Sequence, residues 1–377
     1  MKRVGLWLFL IVVIVAMTTV FSMSACKAEP AAEEAMEEEA MEEEAMEKDL
    51  SEFDIVFIVK VDGIAWFDTE RAGLDACAAD YGFGSATTIG PPTADAALQA
   101  QMIEDQIAAG VEAIGIVPND PAAVEPVLKK AMDLGIITYA HEGSAMENIN
   151  FDIEAMSNQV FGETIFERGI SDSGDTGQYV WSVGWLTSTS HNEWVDAGIA
   201  LQQSKYPDKI NALGYDTGSD RFEEQEDTTI AHDKILEFLN TYPELNQVFG
   251  SPMTTMVAAG LAIEEKGLKD KVFACGTGLP ITVGDHLRNG VVQEGFFWDP
   301  WGVGYALGYA AMMEYLGTPM KPGDPVLKPD GTPLKRYEGI DRITNAAGGD
   351  VIFGTGLERV NLDNLEEWDE IFKGYGF

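Results

Sequence analysis

The chain has 377 residues, 46% of them apolar, with 63 acidic against 24 basic residues and a formal charge of −39. That length exceeds a comfortable single core, and the acidity excludes nucleic acid and disfavours anionic lipid and strongly anionic ligands, all of which need a basic face. Three cysteines cannot build a disulfide framework, so the fold must rest on apolar burial.

Lys2 and Arg3 precede an apolar run from Val4 to Ala16, and Met23-Ser24-Ala25-Cys26 follows. Such a run closed by small residues reads as a secretion signal, and its end resembles a bacterial lipobox. The resemblance implies that residues 1–25 are a signal peptide, cut before Cys26, which then carries lipid. The run is also long enough to leave an uncleaved membrane anchor open. In either reading the folded part lies outside the cytoplasm, in the periplasm or at the cell surface.

Residues 27–51 hold eleven acidic and two basic residues and repeat Ala-Met-Glu-Glu-Glu. With almost nothing to bury, segment 26–51 reads as a self-repelling spacer, and a solvated helix is the second reading. The signal carries +2 and the spacer −9, which leaves −32 on residues 52–377. The acidity therefore belongs to the fold itself.

From residue 53 short β-branched runs alternate with amphipathic segments. The expected strands are Ile55 to Val61, Ala113 to Val117, Ile136 to Tyr139, Tyr179 to Val183, Ile210 to Gly214, Gln247 to Phe249, Lys271 to Cys275 and Val291 to Phe297. Among the helices, Ala96 to Ala109 places Leu98, Met102, Ile103 and Ile107 on a shared face, with Gly110 as a stop. Strand and helix in alternation predict an α/β fold with parallel sheets covered on both sides. Two lobes are expected: residues 52–157 with about 299–345, and residues 158–298 with about 346–377. A polar turn at Asn148 to Asn158 marks the break, and Gln159 to Ile170 begins the next helix. Cys77 and Cys275 sit in apolar patterns; two buried free thiols and a disulfide between them are both open.

Ligands of open parallel sheets sit beyond the carboxyl ends of the strands. The loops leaving those ends carry Lys60 to Phe67, with a cation and the aromatic pair Trp66 and Phe67; Val117 to Pro121, with Asn119; and Tyr139 to Glu142, with His141. Later mouths carry Ser190-His191-Asn192-Glu193-Trp194, Ser251-Pro252-Met253-Thr254, Gly276 to Pro280 with Gly278, and Trp298-Asp299-Pro300-Trp301. Asp299 has a second reading, as a cap for a helix starting at Pro300. His232 and His286 read as ordinary surface or packing residues.

Phe57 to Lys60 with Gly63, Trp66 and Phe67, then Gly115 to Asn119, Gly276 to Pro280, Phe297 to Pro300 and Phe353 to Val360 follow in an order and spacing that resembles the type I periplasmic binding proteins of sugar-class ABC importers. The likeness is greatest to the branch of autoinducer-2 and rhamnose receptors. It implies two Rossmann-like lobes joined by a hinge that close over a small polyhydroxylated ligand and present it to an ABC permease, with no cofactor and no metal. From these strand mouths, taken with that resemblance, the ligand-binding residues are expected among Lys60, Trp66, Phe67, Asn119, His141, Glu142, Ser190, His191, Asn192, Ser251, Met253, Gly278, Trp298 and Asp299. Lys60 matches a ligand-touching lysine of the autoinducer-2 receptors. Ala140 and Ser190-His191 stand where those receptors have an aspartate and an Asp-Gln pair, which puts autoinducer-2 itself in doubt. Catalysis is not expected: no Gly-x-Ser-x-Gly elbow or phosphate loop is present, Gly354-Thr355-Gly356 lacks a third glycine, and no His-x-x-x-His spacing occurs. Transport and signalling to a chemoreceptor or kinase share the capture step, so the sequence leaves both open.

Overall fold

The computed structural model describes residues 48–216 and 219–377. The signal segment, Cys26 and nearly all of the spacer lie outside the described residues. A 3-10 turn, Leu50–Glu52, leads into the first sheet.

The chain then lays down β1 (Asp54–Ile58), α1 (Ala65–Tyr81), β2 (Ser85–Ile89), α2 (Ala96–Ala109), β3 (Ala113–Ile116), α3 (Pro121–Asp133), β4 (Ile137–His141) and β5 (Phe151–Glu154). It crosses once and continues as α4 (Asn158–Ser173), β6 (Gly177–Val183), α5 (Thr189–Lys205), β7 (Lys209–Asn211), α6 (Ala212–Asp216), β8 (Phe222–Glu223), α7 (Thr228–Thr241), β9 (Leu245–Gly250), α8 (Met253–Lys266), β10 (Phe273–Thr277), α9 (Pro280–Asn289) and β11 (Glu294–Phe297). A second crossing leads to α10 (Pro300–Tyr315), β12 (Asp341–Thr344) and β13 (Asp350–Phe353), and a third to β14 (Glu358–Val360) and α11 (Leu365–Tyr375).

Two seven-stranded sheets result. The first runs β12-β13-β5-β4-β3-β1-β2 and the second β14-β11-β10-β9-β6-β7, with β8 beside β6. All pairings are parallel except β12 with β13 and β14 with β11. The expected α/β architecture of two parallel sheets is therefore present. β3 is apolar throughout, and β1 is apolar and buried after Asp54, because helices cover both faces. Ile58, Ile114, Ile116, Leu128 and Ala140 share one core cluster under α2 and α3.

Local signals explain the boundaries. Asp95 accepts from the Leu98 amide to open α2, and Gly110 closes it at φ +79°. On that helix, however, Leu98 is 38% exposed and Gln99 is buried instead. Its amide donates to the Val59 and Val117 carbonyls, tying the ends of β1 and β3 together.

Several expectations need correction. The strand expected to run to Gly214 ends at Asn211, because the Asn211 side chain accepts from the Leu213 and Gly214 amides and starts a helical turn. β5 lies inside the stretch read as a turn. β13 hydrogen-bonds to β5 in the first sheet, so the chain leaves that sheet after Phe353 rather than near residue 345. Cys77 and Cys275 are both free and buried. No helix among the described residues is long and apolar enough to cross a membrane.

Candidate functional site

The carboxyl ends of β1 and β4 deliver a buried ion pair. Lys60 Nζ lies 2.5 Å from Glu142 Oε2, and Ser190 Oγ, on the first turn of α5, donates to the same oxygen at 2.9 Å. Glu142 adopts φ +58°, a left-handed conformation unusual for a side chain larger than glycine. Burial works to raise the Glu142 pKa, but Lys60, His191 and His141 together bring it down to about 2. Burial opposes the Lys60 charge, and the Glu142 carboxylate with smaller help from Glu226 and Glu70 more than offsets it, so the lysine pKa is raised.

Four aromatic residues, Trp66, Phe67, Trp194 and Trp298, form the apolar wall of a narrow cleft with a cavity volume of about 30 Å³. Trp298 sits on the second crossing and meets Trp66 edge-on at 4.7 Å, Phe161 at 5.5 Å and Trp194 at 5.7 Å. Its indole N–H donates to His141 Nε2 at 3.2 Å, while His141 Nδ1 is 2.6 Å from the Ile153 carbonyl and therefore carries the ring proton. Burial holds His141 neutral by lowering its pKa. Behind this wall Trp66 Nε1 donates to Glu70 Oε1 at 2.9 Å. Burial, with the charge of Glu142, pushes the Glu70 pKa well above the usual range.

The second lobe contributes His191, Trp194, Glu226, Ser251, Pro252, Met253 and Thr277. Burial and then Lys60 lower the His191 pKa to about 3, so its ring is neutral and Nδ1 accepts from the Gly184 amide. Ser251 Oγ accepts from Trp181 Nε1 at 3.1 Å and donates to the His191 carbonyl, which fixes its place in the wall. Among the described residues no group of three or more His, Cys, Asp or Glu side chains could hold a metal ion.

Eight of the expected residues thus line one cleft: Lys60, Trp66, Phe67, Glu142, His191, Ser251, Met253 and Trp298. The others do not. Ser190 supports the cleft through Glu142, and His141 through Trp298, with both ring nitrogens used by the protein. Asn119 donates to the Lys60 carbonyl, and its own carbonyl accepts from Thr187 Oγ1 across the two lobes. Asn192 is engaged by the Trp185 and Ser188 carbonyls and by Arg221. Gly278 is held in the sheet by the Phe296 carbonyl. Asp299 caps α10 through the Trp301 amide and accepts from the Tyr375 hydroxyl at 2.7 Å. Ala140 lies in the first core, so the carboxylate that β4 brings to the cleft is Glu142. Ile64, Trp194, Pro252, Thr277 and Glu226 line the cleft although they were not among the expected ligand-binding residues. The first four occupy the same strand mouths as residues that were; nothing in the sequence marks Glu226.

Residues 55–318 match the periplasmic binding protein domain, and the chain belongs to that family, one of extracytoplasmic solute-binding proteins. Solved structures with the same fold include LsrB from Clostridium saccharobutylicum in complex with AI-2, at 20% identity and TM-score 0.74, covering 83% of this chain and 99% of that one. An ABC transporter solute-binding protein from Clostridium phytofermentas with bound L-rhamnose is 22% identical at TM-score 0.74, covering 85% and 98%. Another from Burkholderia graminis, in complex with D-arabinose, is 22% identical at TM-score 0.67, covering 84% and 98%. The family resemblance drawn from the spaced motifs is borne out.

Proposed function

We propose that this chain captures a small sugar or sugar-like polyol between its lobes and delivers it to an ABC importer, tethered outside the cytoplasm by a lipid on Cys26. The observation that carries this reading is the composition of the cleft: an aromatic wall formed by Trp66, Phe67, Trp194 and Trp298, faced by Lys60, Glu142, His191, Glu226, Ser251 and Thr277 from both lobes. Apolar C–H faces of a ring lie against indoles, while each hydroxyl that loses water needs a polar partner. Two of the ligands named for the similar structures, L-rhamnose and D-arabinose, are neutral sugars that present both C–H faces and hydroxyls. Closure expels water and changes the surface a permease meets.

A thermal-shift screen of pentoses, deoxyhexoses and related polyols against the full chain tests capture, since a ligand bound only by the folded form raises Tm by mass action. At least one is expected to shift the transition; a flat result at millimolar concentration across the panel sinks the reading. The anchor is tested separately by acyl labelling, which Cys26→Ser abolishes if the tether is as described.

A further inference from the structure

Glu226 is the one carboxylate lining the described cleft that the protein leaves without a hydrogen-bond donor. It sits on a turn where Gln225 and Glu226 both take left-handed backbone angles, φ +59° and +53°. Such angles cost free energy in non-glycine residues and persist only where surrounding structure imposes them. Here the Glu224 and Gln225 amides donate to the Val183 and Gly184 carbonyls at the end of β6, and the Asp227 side chain caps α7. The turn is thus clamped on both sides and delivers its carboxylate into the cleft.

The neighbours give that carboxylate no donor. His191 Nδ1, 4.0 Å away, already accepts from the Gly184 amide. Lys60 is bound to Glu142, whose own oxygen also takes the Ser190 hydroxyl. Glu224, next but one, is used by the Thr254 hydroxyl and points elsewhere. Lys60 is paired directly with Glu142 and acts on Glu226 only at longer range; burial raises the Glu226 pKa to about 7, so above that pH the cleft carries a negative charge there with no hydrogen-bonded partner.

We propose that Glu226 is the specificity-determining acceptor of the cleft, taking hydrogen bonds from adjacent hydroxyls of a neutral polyol and rejecting sugar acids and sugar phosphates. The assignment rests on the capture reading above and narrows its ligand class. Hydroxyl donors satisfy a buried carboxylate with strong, charge-assisted bonds, whereas a second anion beside it in a water-poor cleft meets repulsion that no free cation relieves.

Calorimetric titration of the full chain at about pH 8.5, above the Glu226 pKa of about 7, with L-rhamnose and D-arabinose, and with D-glucuronate and D-arabinose 5-phosphate, tests this in the wild type, Glu226→Gln and Glu226→Asp. A neutral sugar is expected to bind the wild type, with the anionic compounds at least tenfold weaker. Glu226→Gln, checked for folding by its thermal transition, should lose at least tenfold in neutral-sugar affinity and discriminate less against the anions. Glu226→Asp, which keeps the charge, should retain the discrimination. Equal affinity of wild type and Glu226→Gln for the neutral sugar overturns the assignment, as does an anion binding the wild type as tightly as a neutral sugar. If every compound fails to bind the wild type, the capture reading itself falls, a result distinct from binding that ignores residue 226.

Discussion

Lys60→Met removes the ammonium that matches Glu142 while keeping most of the apolar stem. The carboxylate is held at a pKa of about 2 against an ordinary value of 4.5. At roughly 1.4 kcal/mol per pKa unit, its ionised form is favoured by about 3 kcal/mol, with Lys60 the largest favourable influence. Stranding one partner of a buried pair costs about 3–5 kcal/mol in general, so a loss of about 3 kcal/mol is expected at pH 7. Because its folded pKa is depressed, the stabilising contribution of Glu142 is present above about pH 4.5 and fades as pH falls through about 2. The gap between wild type and variant should therefore shrink across that window. Both residues belong to the first sheet, at the ends of β1 and β4, so the pair does not depend on lobe closure. Urea unfolding followed by tryptophan fluorescence from pH 2 to pH 8 measures the gap. A cost below about 0.5 kcal/mol at pH 7, of the size expected for an exposed pair, would refute the reasoning.

Gly304→Ala should cost about 2 kcal/mol or more in urea unfolding, since a Cβ there would lie 1.9 Å from the Glu70 carbonyl and force α1 and α10 apart. Thr187→Ala deletes the bond to the Asn119 carbonyl that joins the lobes; sugar affinity should fall about threefold to tenfold, about the worth of one neutral hydrogen bond, with the urea midpoint unchanged. Asp152, buried beside Glu154, has its pKa raised by burial from 3.8 to about 7. The folded chain therefore holds a proton that the unfolded chain releases, and stability is lost as pH rises through that window. Asp152→Asn should flatten this part of the pH profile, and an unchanged slope would show that Asp152 does not titrate there.

The features legible in the sequence were those with a strong local cause. Asp95 and Gly110 bound α2 because a side-chain cap and a left-handed glycine act within one turn. The strand mouths that carry Lys60, Glu142, His191 and Trp298 followed from the alternation of strand and helix. β5 was hidden because it buries Asp152 and Glu154 in a fully enclosed strand, against the usual apolar signature. Side-chain direction was equally out of reach: His141 stands at the right loop but spends both ring nitrogens on Trp298 and Ile153, and Asn119 turns its amide nitrogen to the Lys60 carbonyl. Glu226 is one of several acids in Glu223 to Asp227, and nothing in that run of acids tells which of them the turn delivers into the cleft.

Small-angle scattering of the full chain, with and without the sugar that titrates best, tests most directly whether two lobes close over a solute. The radius of gyration is expected to fall on saturation and to return when the sugar is dialysed away chemically unchanged. An unaltered scattering curve at saturating sugar, or recovery of an altered sugar, would contradict capture by closure.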